Sequence, residues 1–437
     1  MGNSGWRVFF MLCVVTPVFC FVTALSAYGA DKENLDRLEK IIQQQQAQIE
    51  AQQKALEQLQ GEVAALKGSP AVAPTMVPEE MRVLAQAVSE EKKGAVVSGE
   101  SKAQVRLYGQ VNKAVLFSSD GDSGNTYLVD NDNSSTRIGV LGSINPNDNV
   151  KVGTRLEFEY QTNPSNLVNQ EDRRVDDATF EKRHLDLWVD GNTFGKFSLG
   201  WGSTASDGTS EIDLSGTGVV GYSDIASMAG GQLFYDNATG SLSGTRIGNV
   251  FSNMDGLSRQ ERIRYDSPSF NGFVGSTSYI SDGGGDFAVR YSAQMDAFRL
   301  AAAVAYANPG STSDTIDDQL NGSISVLHDS GFNGTFALGT RDNKGDGRDD
   351  GAFFYTKFGY QGRWCPLGVT SLSADFGRYS DISANGDDAD TFGLQMVQDL
   401  QQWGTEAYLG YRFHKLDRNG VDFDNINAIM TGMRVKF

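Results

Sequence analysis

The side chains most often used for catalysis and metal binding are few in this sequence. Its three histidines, His184, His328 and His414, stand far apart, and none lies in a His-Glu-x-x-His or comparable metal-binding spacing. The stretch 191–196 (GNTFGK) lacks the spacing of a phosphate-binding loop and is typical of a turn. The sequence therefore predicts no enzyme, no cofactor and no metal centre. A Ser-His-acid triad stays open as an alternative, because such triads are recognised by geometry and not by sequence order.

Charged side chains instead follow a strand pattern, most clearly at 150–161 (VKVGTRLEFEYQ). One face of this segment carries Lys151, Arg155, Glu157 and Glu159, and the other face is almost wholly apolar. Residues that alternate with period two share a face in a strand, whereas a helix would scatter the charges around its circumference. If the apolar face meets lipid, the charged face must line water, because a cation facing mid-bilayer lipid costs about 2–4 kcal/mol.

The composition is compatible with strands of this kind crossing a membrane. The chain has 437 residues, of which 50 are glycine and 9 proline, and 10% are aromatic. Its mean hydropathy of −0.34 is too low for a protein built from long apolar transmembrane helices. A membrane β-barrel needs only every second strand residue to be apolar. The net charge of −18 argues against a nucleic-acid partner.

Sixteen segments with this alternation follow residue 102. They begin near residues 104, 135, 150, 181, 196, 260, 273, 286, 298, 319, 332, 352, 369, 390, 404 and 426. A soluble sandwich also alternates, but sixteen strands exceed one sandwich. A closed barrel with an even number of strands leaves no sheet edge unpaired in lipid. We therefore expect an all-β fold over 103–437, a 16-stranded antiparallel transmembrane β-barrel.

The predicted connections alternate between short turns and long acidic loops, as they do in bacterial outer-membrane barrels. Long loops are expected at 118–134, 163–179, 341–350, 380–389 and 415–425. The connection 203–258 is much longer and has little strand pattern. Because such a loop in a compact domain is usually functional, we expect it to fold into the lumen and narrow it.

Residues 1–29 have the features of a secretory signal peptide. A single positive charge precedes an apolar segment, and small residues permit cleavage after Ser26 or Gly29. An uncleaved anchor helix is the alternative. Cleavage would remove Cys13 and Cys20 and leave one cysteine, so that no intrachain disulfide could form.

Residues 32–67 predict an α-helical coiled coil, because seam positions recur with 3-4 spacing over five heptads. The seam positions are Leu35, Leu38, Ile42, Gln45, Ile49, Gln52, Leu56, Leu59, Val63 and Leu66. At 1.5 Å per residue this coil would be about 50 Å long. We favour a trimer over a dimer, although these seam residues do not decide between them. A lone amphipathic helix is the alternative, and 68–102 predicts an extended linker.

Several segments resemble the general, non-specific porins of Gram-negative outer membranes. They are 107–109 (LYG), 135–139 (STRIG), 195–200 (GKFSLG), 264–270 (RYDSPSF) and the C-terminal Phe437. The resemblance spans 103–437 in the expected order. It implies a sixteen-stranded barrel, usually a homotrimer, whose third long loop folds inward as a constriction. In this family, basic residues on the wall stand opposite acidic residues on that loop.

The resemblance also implies positions for these charges. Arg137 and Arg183 match basic wall residues of the family, and Arg259 lies close to a third. With them we expect Lys151, Arg155 and Arg264 on the pore wall. The candidate acids on the constriction loop are Asp207, Glu211, Asp213 and Asp224. The alternative role for the interior arginines is structural, in ion pairs with Glu157 or Glu159.

Three features depart from the family pattern or conflict with alternation. Arg183 shares its parity with Leu185, Leu187 and Val189, so we expect either a β-bulge or a protein-covered trimer face there. Gln110 and Trp201 stand where relatives carry basic residues, and the family's Pro-Glu-Phe-Gly-Gly-Asp loop motif is missing. These differences leave pore size and ion preference open. The heptad segment resembles the N-terminal coils of some trimeric porins with solute preferences.

The expected function is passive diffusion of ions and small hydrophilic solutes across the outer membrane. Expected partners are two further copies of the chain, outer-membrane lipid and lipopolysaccharide, and peptidoglycan reached through the periplasmic coil. One alternative is a porin selective for anions such as phosphate or carboxylates, and another is a structural tether with a plugged barrel. For the acidic stretch 342–350 (DNKGDGRDD) the alternatives are weak binding of a hard cation and a solvated loop that meets lipopolysaccharide.

Overall fold

The structure is a computed structural model that describes residues 95–97, 103–175 and 179–437. The expected signal peptide 1–29, the coil 32–67 and most of the linker 68–102 lie outside the described residues. Within the described ranges, no helix is long and apolar enough to cross a membrane.

Eighteen of the twenty strands in the described residues form one antiparallel sheet, which closes into a barrel of sixteen strand positions, and the other two form a separate hairpin. The strands are β1 (Ala95–Val97), β2 (Ala103–Ser119), β3 (Gly124–Asp130), β4 (Arg137–Asn147), β5 (Val150–Gln161), β6 (Thr179–Gly191), β7 (Gly195–Ser203), β8 (Leu233–Asp236), β9 (Ser241–Arg246), β10 (Arg259–Asp266), β11 (Phe273–Ile280), β12 (Gly285–Met295), β13 (Phe298–Asn308), β14 (Ile316–His328), β15 (Phe332–Asn343), β16 (Gly351–Cys365), β17 (Gly368–Ser380), β18 (Asp388–Leu400), β19 (Thr405–Asp417) and β20 (Ile426–Lys436). The expected sixteen-stranded barrel is confirmed.

The barrel closes between its first and last strands. β2 pairs with β20 over Gln110 to Ser119, and the chain end continues this pairing. The Phe437 amide donates to the Gly109 carbonyl at 3.0 Å, and the Gly109 amide donates to the Phe437 carbonyl at 2.9 Å. Closure leaves no strand edge that lipid would have to satisfy.

One strand position is divided between two segments. β3 pairs with the C-terminal half of β2, and β4 pairs with the N-terminal half of β2. A short 3-10 turn, Asp132–Ser134, separates them. The expected loop 118–134 therefore contains the end of β2, the whole of β3 and the 3-10 turn, and only 120–123 connects β2 to β3. The sequence prediction was wrong here, because β2 is long enough to pair with two strands in succession.

Strand faces alternate as the sequence predicts. On β16 the Lys357 side chain points inward and is fully buried, whereas the neighbouring Phe358 points outward and is 70% exposed. On β5 the inward residues Glu157, Glu159 and Gln161 are buried, whereas Tyr160 faces out. Outward apolar residues on all sides of the barrel form the surface expected to contact lipid.

Connections of very different length occupy the two ends of the barrel. At one end, here called the turn end, β4 and β5 or β6 and β7 join within two or three residues. At the other end, the loop end, lie the connections 162–178, 309–315, 344–350, 381–387 and 418–425. The loop end also gives rise to the segment 204–258, here called the long loop. It contains the hairpin β8–β9 and two short helices, α1 (Ala226–Ala229) and α2 (Ile247–Val250).

Candidate functional site

The long loop lies inside the barrel and follows its inner wall. The amides of Ala205 and Ser206 donate to Asp286 on β12 at 3.2 and 2.8 Å. Further along, the Ile212 amide donates to Ser323 on β14 at 3.0 Å, and Thr217 bonds to Ser373 on β17 at 2.7 Å. Buried backbone amides need partners, and short polar side chains on the inner faces of these strands supply them.

Guanidinium groups on the wall hold the start of the long loop. Arg264 donates to the Thr204 carbonyl at 2.7 Å. Arg290 donates to the carbonyls of Ala205 and Asp207 at 2.8 and 2.6 Å. The Arg264 side chain is only 7% exposed and also pairs with Asp266. Arg264, expected on the pore wall, is therefore on the inner face but engaged in anchoring the loop.

An apolar layer fastens the middle of the long loop to the wall. Val220, Ile225, Met228 and Phe251 are almost fully buried in a cluster that also contains wall residues of β16 to β20. The Phe251 ring meets the Tyr379 ring edge-on at a centroid distance of 5.1 Å. Burial of each such side chain contributes about 1.5–3 kcal/mol, so the docked position of this segment is strongly favoured.

Asp213, one of the expected loop acids, is neutralised by a buried lysine. Lys357 Nζ on β16 lies 2.7 Å from the Asp213 carboxylate and 2.6 Å from the Gly221 carbonyl oxygen. Burial alone would raise the pKa of Asp213, but the ion pair and hydrogen bond with Lys357 lower it overall. Asp213 therefore acts as an anchor and contributes little free negative charge to the lumen.

The other expected loop acids come together with a fourth carboxyl group that the sequence did not single out. Asp255 accepts hydrogen bonds from the Gly208 amide at 2.8 Å and from Ser210 Oγ at 3.0 Å. Burial and the charge of Asp207 raise the pKa of Asp255 to about 7. Burial together with Asp255, Asp224 and Asp207 raises the pKa of Glu211 well above its usual value. The cluster is therefore partly protonated near neutral pH.

The inner wall of β4 to β6 carries the basic residues that the sequence placed there. Arg155 pairs with Glu157 at 2.8 Å. Arg183 pairs with Glu157 at 2.9 Å and also with Glu159. Arg137 lies within the electrostatic field of Arg155, Arg183 and Glu157, but makes no ion pair among the described residues. The alternative of structural ion pairing thus applies to Arg155 and Arg183.

A β-bulge explains how Arg183 points inward. Glu157 pairs with His184 and the next residue, Phe158, pairs with Lys182, so that Arg183 has no cross-strand partner. The extra residue reverses the alternation of β6 at this point. Leu185 and Leu187 remain outward, half exposed, while Arg183 turns toward the carboxylates of β5.

Asp132 links the basic wall to the loop acids. It accepts a hydrogen bond from Gln161 at 2.8 Å and interacts electrostatically with Asp224 of the long loop and with Glu159 and Arg183 of the wall. Burial, opposed by the Gln161 hydrogen bond and strengthened by Asp224, raises its pKa to about 7. The loop acids and the wall bases therefore approach one another at this point.

Of the two remaining expected wall residues, only Lys151 lies away from this basic wall. Lys151, near the turn end, stands 5.9 Å from the Trp188 ring and opposite Asp190. Arg259 begins β10 and interacts electrostatically with His184, as Arg155, Arg183 and Glu157 also do. Its buried Nε has no hydrogen-bond partner in the described structure. Within the same described ranges, no group of three or more His, Cys, Asp or Glu residues is arranged to hold a metal ion.

A sequence-family comparison decides the classification of this barrel. The family model described as Gram-negative porin matches residues 92–419, three quarters of the chain. The chain belongs to the Gram-negative porin family. A barrel of this family lies in the outer membrane and acts as a porin. Among curated proteins, no sequence matches the chain.

Solved porin structures share the fold of this porin. The anion-selective porin from Comamonas acidovorans is 17% identical, with a TM-score of 0.52 over 77% of this chain and 100% of that one. OmpT of Vibrio cholerae is 15% identical, with a TM-score of 0.50 over 78% and 100%. The outer membrane channel DcaP of Acinetobacter baumannii is 12% identical, with a TM-score of 0.50 over 78% and 99%. At these identities the similarity concerns the fold alone.

Sequence reasoning missed several residues that shape the lumen of this porin. Lys357 and Arg290 anchor the long loop, and Asp255 completes its acidic cluster. Inward alternation on β12 and β16 could have placed Arg290 and Lys357 on the inner wall. Their partners on the long loop are more than 80 residues away in sequence, and no local pattern indicates such pairs.

Proposed function

We propose that this porin is a passive diffusion channel for ions and small hydrophilic solutes, with the segment 203–258 as its constriction. The observation that carries the proposal is the position of the long loop. Its hydrogen bonds run to β12, β14, β16 and β17, which lie across the barrel from β4 to β6 in the strand order. Solutes would pass between the docked loop and the basic wall, without an energy source or a cofactor.

The charges on the two sides of this passage would set ion preference through their field. Arg137, Arg155 and Arg183 stand on one side with two carboxylates, Glu157 and Glu159. On the other side, Asp213 is compensated by Lys357, and Asp255 is only partly ionised near neutral pH. The wall of β4 to β6 alone therefore has one positive charge more than it has carboxylates, and the acids of the long loop and Asp132 oppose this excess as they ionise.

Selectivity for anions is a second candidate, and the same observation favours it. Arg137 has no carboxylate of its own among the described residues, so it is available to a passing anion. The Comamonas acidovorans relative is described as anion-selective. A binding site for phosphate or small carboxylates would make conductance saturate as the solute concentration rises, whereas simple diffusion would not.

The proposal includes an orientation and an assembly. The loop end would face the outside of the cell and contact lipopolysaccharide, and the turn end would face the periplasm. The N-terminal coil 32–67 would then be periplasmic, where it could stabilise a homotrimer and reach peptidoglycan. The prediction of a closed outer-membrane barrel supports this orientation, because such barrels have short periplasmic turns and longer outer loops.

Single-channel recording in planar bilayers with a salt gradient tests the proposal. We expect stable, ohmic openings whose reversal potential has the sign of anion preference. Conductance that saturates on adding phosphate or a dicarboxylate would favour the selective channel. Insertion of folded protein without any conductance would contradict both and favour a structural tether with a plugged barrel.

A further inference from the structure

The long loop has one part that leaves the lumen and reaches the loop end of the barrel. This part is the hairpin of β8 (Leu233–Asp236) and β9 (Ser241–Arg246), here called the rim hairpin. Its base is buried, and its tip, 237–240, is exposed. The rim hairpin packs against the connection 418–425 between β19 and β20, here called the mouth loop.

Backbone hydrogen bonds join the mouth loop to the rim hairpin as a third strand would. The Asn237 amide donates to the Asp422 carbonyl, and the Asp424 amide donates to the Tyr235 carbonyl, both at 2.9 Å. Between these bonds Asp236 and Phe423 form an antiparallel bridge pair. Main-chain pairing of this kind holds two segments in a defined register.

Side chains extend the contact in two directions. The Phe423 ring packs on the buried Phe234 ring at a centroid distance of 5.7 Å. Arg418 donates to both carboxylate oxygens of Asp387 at 2.6 and 2.7 Å, and to Thr245 of the rim hairpin at 2.9 Å. Arg418 thereby connects the rim hairpin with two outer connections at once.

The rim hairpin is continuous with the acidic side of the constriction. β9 leads directly into α2 and Phe251, whose ring packs on Tyr379. Two residues further on, Asn253 donates to Glu211 at 2.9 Å, and Asp255 follows. A displacement of the rim hairpin would therefore move the carboxyl groups that border the passage.

We propose that the mouth loop positions the constriction, with Phe423 and Arg418 as positioning residues that hold the rim hairpin and, through it, the loop acids. This inference rests on the proposed channel function. It means that the mouth loop sets the current stability and the selectivity of the constriction. A ligand or a cut at the mouth loop would then change permeation without touching the passage.

A reversible cross-link between the bridge partners tests the inference. We suggest Asp236→Cys with Phe423→Cys in a Cys365→Ser background. Directly opposed residues of antiparallel strands have Cα atoms about 4.5–5.5 Å apart, which is within disulfide range. The double substitution removes the aromatic contact, and oxidation replaces it with a covalent one, so a single protein supplies both states.

Planar-bilayer currents of this variant are recorded before and after addition of dithiothreitol. We expect oxidised channels to be as steady as Cys365→Ser, and reduced channels to show current transitions about tenfold more often, because an aromatic contact is lost. The reversal potential should shift with reduction. Equally steady currents and an unchanged reversal potential in both redox states would overturn the inference. Absence of any conductance in Cys365→Ser would instead overturn the channel proposal.

A second variant keeps the test available if the double-cysteine chain does not fold. Arg418→Gln removes the ion pair with Asp387 and weakens the bond to Thr245. Its matched control is Arg378→Gln, which breaks an outward-facing ion pair with Asp390 on the same side of the barrel. We expect noisy currents from Arg418→Gln and steady currents from Arg378→Gln. Equal noise in the two variants would contradict the positioning role.

Discussion

Replacement of Lys357 by methionine should release the middle of the long loop. The ammonium group is fully buried and holds both the Asp213 carboxylate and the Gly221 carbonyl oxygen. Methionine has a similar length but cannot donate. The variant therefore leaves a buried carboxylate of the long loop without its counter-charge.

The magnitude follows from the burial of the pair. Removal of one partner from a buried ion pair costs about 3–5 kcal/mol, because the remaining charge stays uncompensated. At about 1.4 kcal/mol per tenfold change, the equilibrium between docked and released loop would shift by roughly two to three and a half orders of magnitude. Asp213→Asn combined with Lys357→Met removes the uncompensated charge, so the double variant should recover most of the loss.

Planar-bilayer recording measures the consequence. We expect Lys357→Met channels to show frequent transitions between conductance levels, while wild type and the double variant stay steady. Circular dichroism should give the same sheet content for all three proteins, because the barrel strands keep their pairing. Steady currents from Lys357→Met, or a double variant as noisy as the single one, would refute the assignment of this pair as an anchor.

Three further outcomes follow from the lumen. Because Asp255 has a pKa raised to about 7 and is neutral below it, the anion-to-cation permeability ratio should fall by roughly twofold or more from pH 6 to pH 8. Asp255→Asn should reduce this change without abolishing it, since the pKa of Asp132 is also raised to about 7. A ratio that rises with pH would contradict this prediction. Arg137→Gln should lower anion preference in salt-gradient recordings, and an effect no larger than that of Arg378→Gln would count against a role in the passage. Gly109→Val should slow barrel formation, because a Cβ at this position would lie 2.7 Å from the Phe437 ring. The rate of barrel formation is measured from the heat-modifiable shift in gel mobility. Folding at the wild-type rate would contradict the proposed closure contact.

Strand alternation predicted the barrel because lipid and water impose opposite requirements on the two faces of each strand. The segment 150–161 shows this directly, since its charged face is buried at Glu157, Glu159 and Gln161, whereas Thr154 and Tyr160 on the other face are exposed. Alternation depends on local pattern, and local pattern is what a single sequence contains. The pairing of Phe437 with Gly109 at the closure of the barrel was not predicted, although Phe437 contributed to the family resemblance.

Interruptions of the alternation were not predictable from the sequence alone. The parity conflict at Arg183 indicated that something unusual occurs there, but a bulge and a covered outer face satisfied it equally well. The pairing of Glu157 with His184 and of Phe158 with Lys182 decides for the bulge. Likewise, no local pattern distinguishes the strand β3 from a polar loop, because its pairing depends on the length of β2.

The sequence indicated which charged residues would lie near the lumen, but not which residues they would contact. Asp213 and Asp224 looked equivalent in sequence, yet Lys357 compensates only the first, while Asp224 faces Asp132. Arg264 looked like a wall residue of the passage but holds the Thr204 carbonyl. Such differences arise from contacts between segments distant in sequence, which depend on how the long loop is folded.

A diffusion channel of this kind requires that one face of each strand borders lipid and the other borders a continuous column of water. Arg155→Cys and Leu156→Cys, each in a Cys365→Ser background, place a thiol on opposite faces of β5. We expect a charged, membrane-impermeant thiol reagent to reduce the single-channel current of Arg155→Cys in a discrete step and to leave that of Leu156→Cys unchanged. A current block at Leu156→Cys with none at Arg155→Cys, or an absence of current in both proteins, would contradict the account.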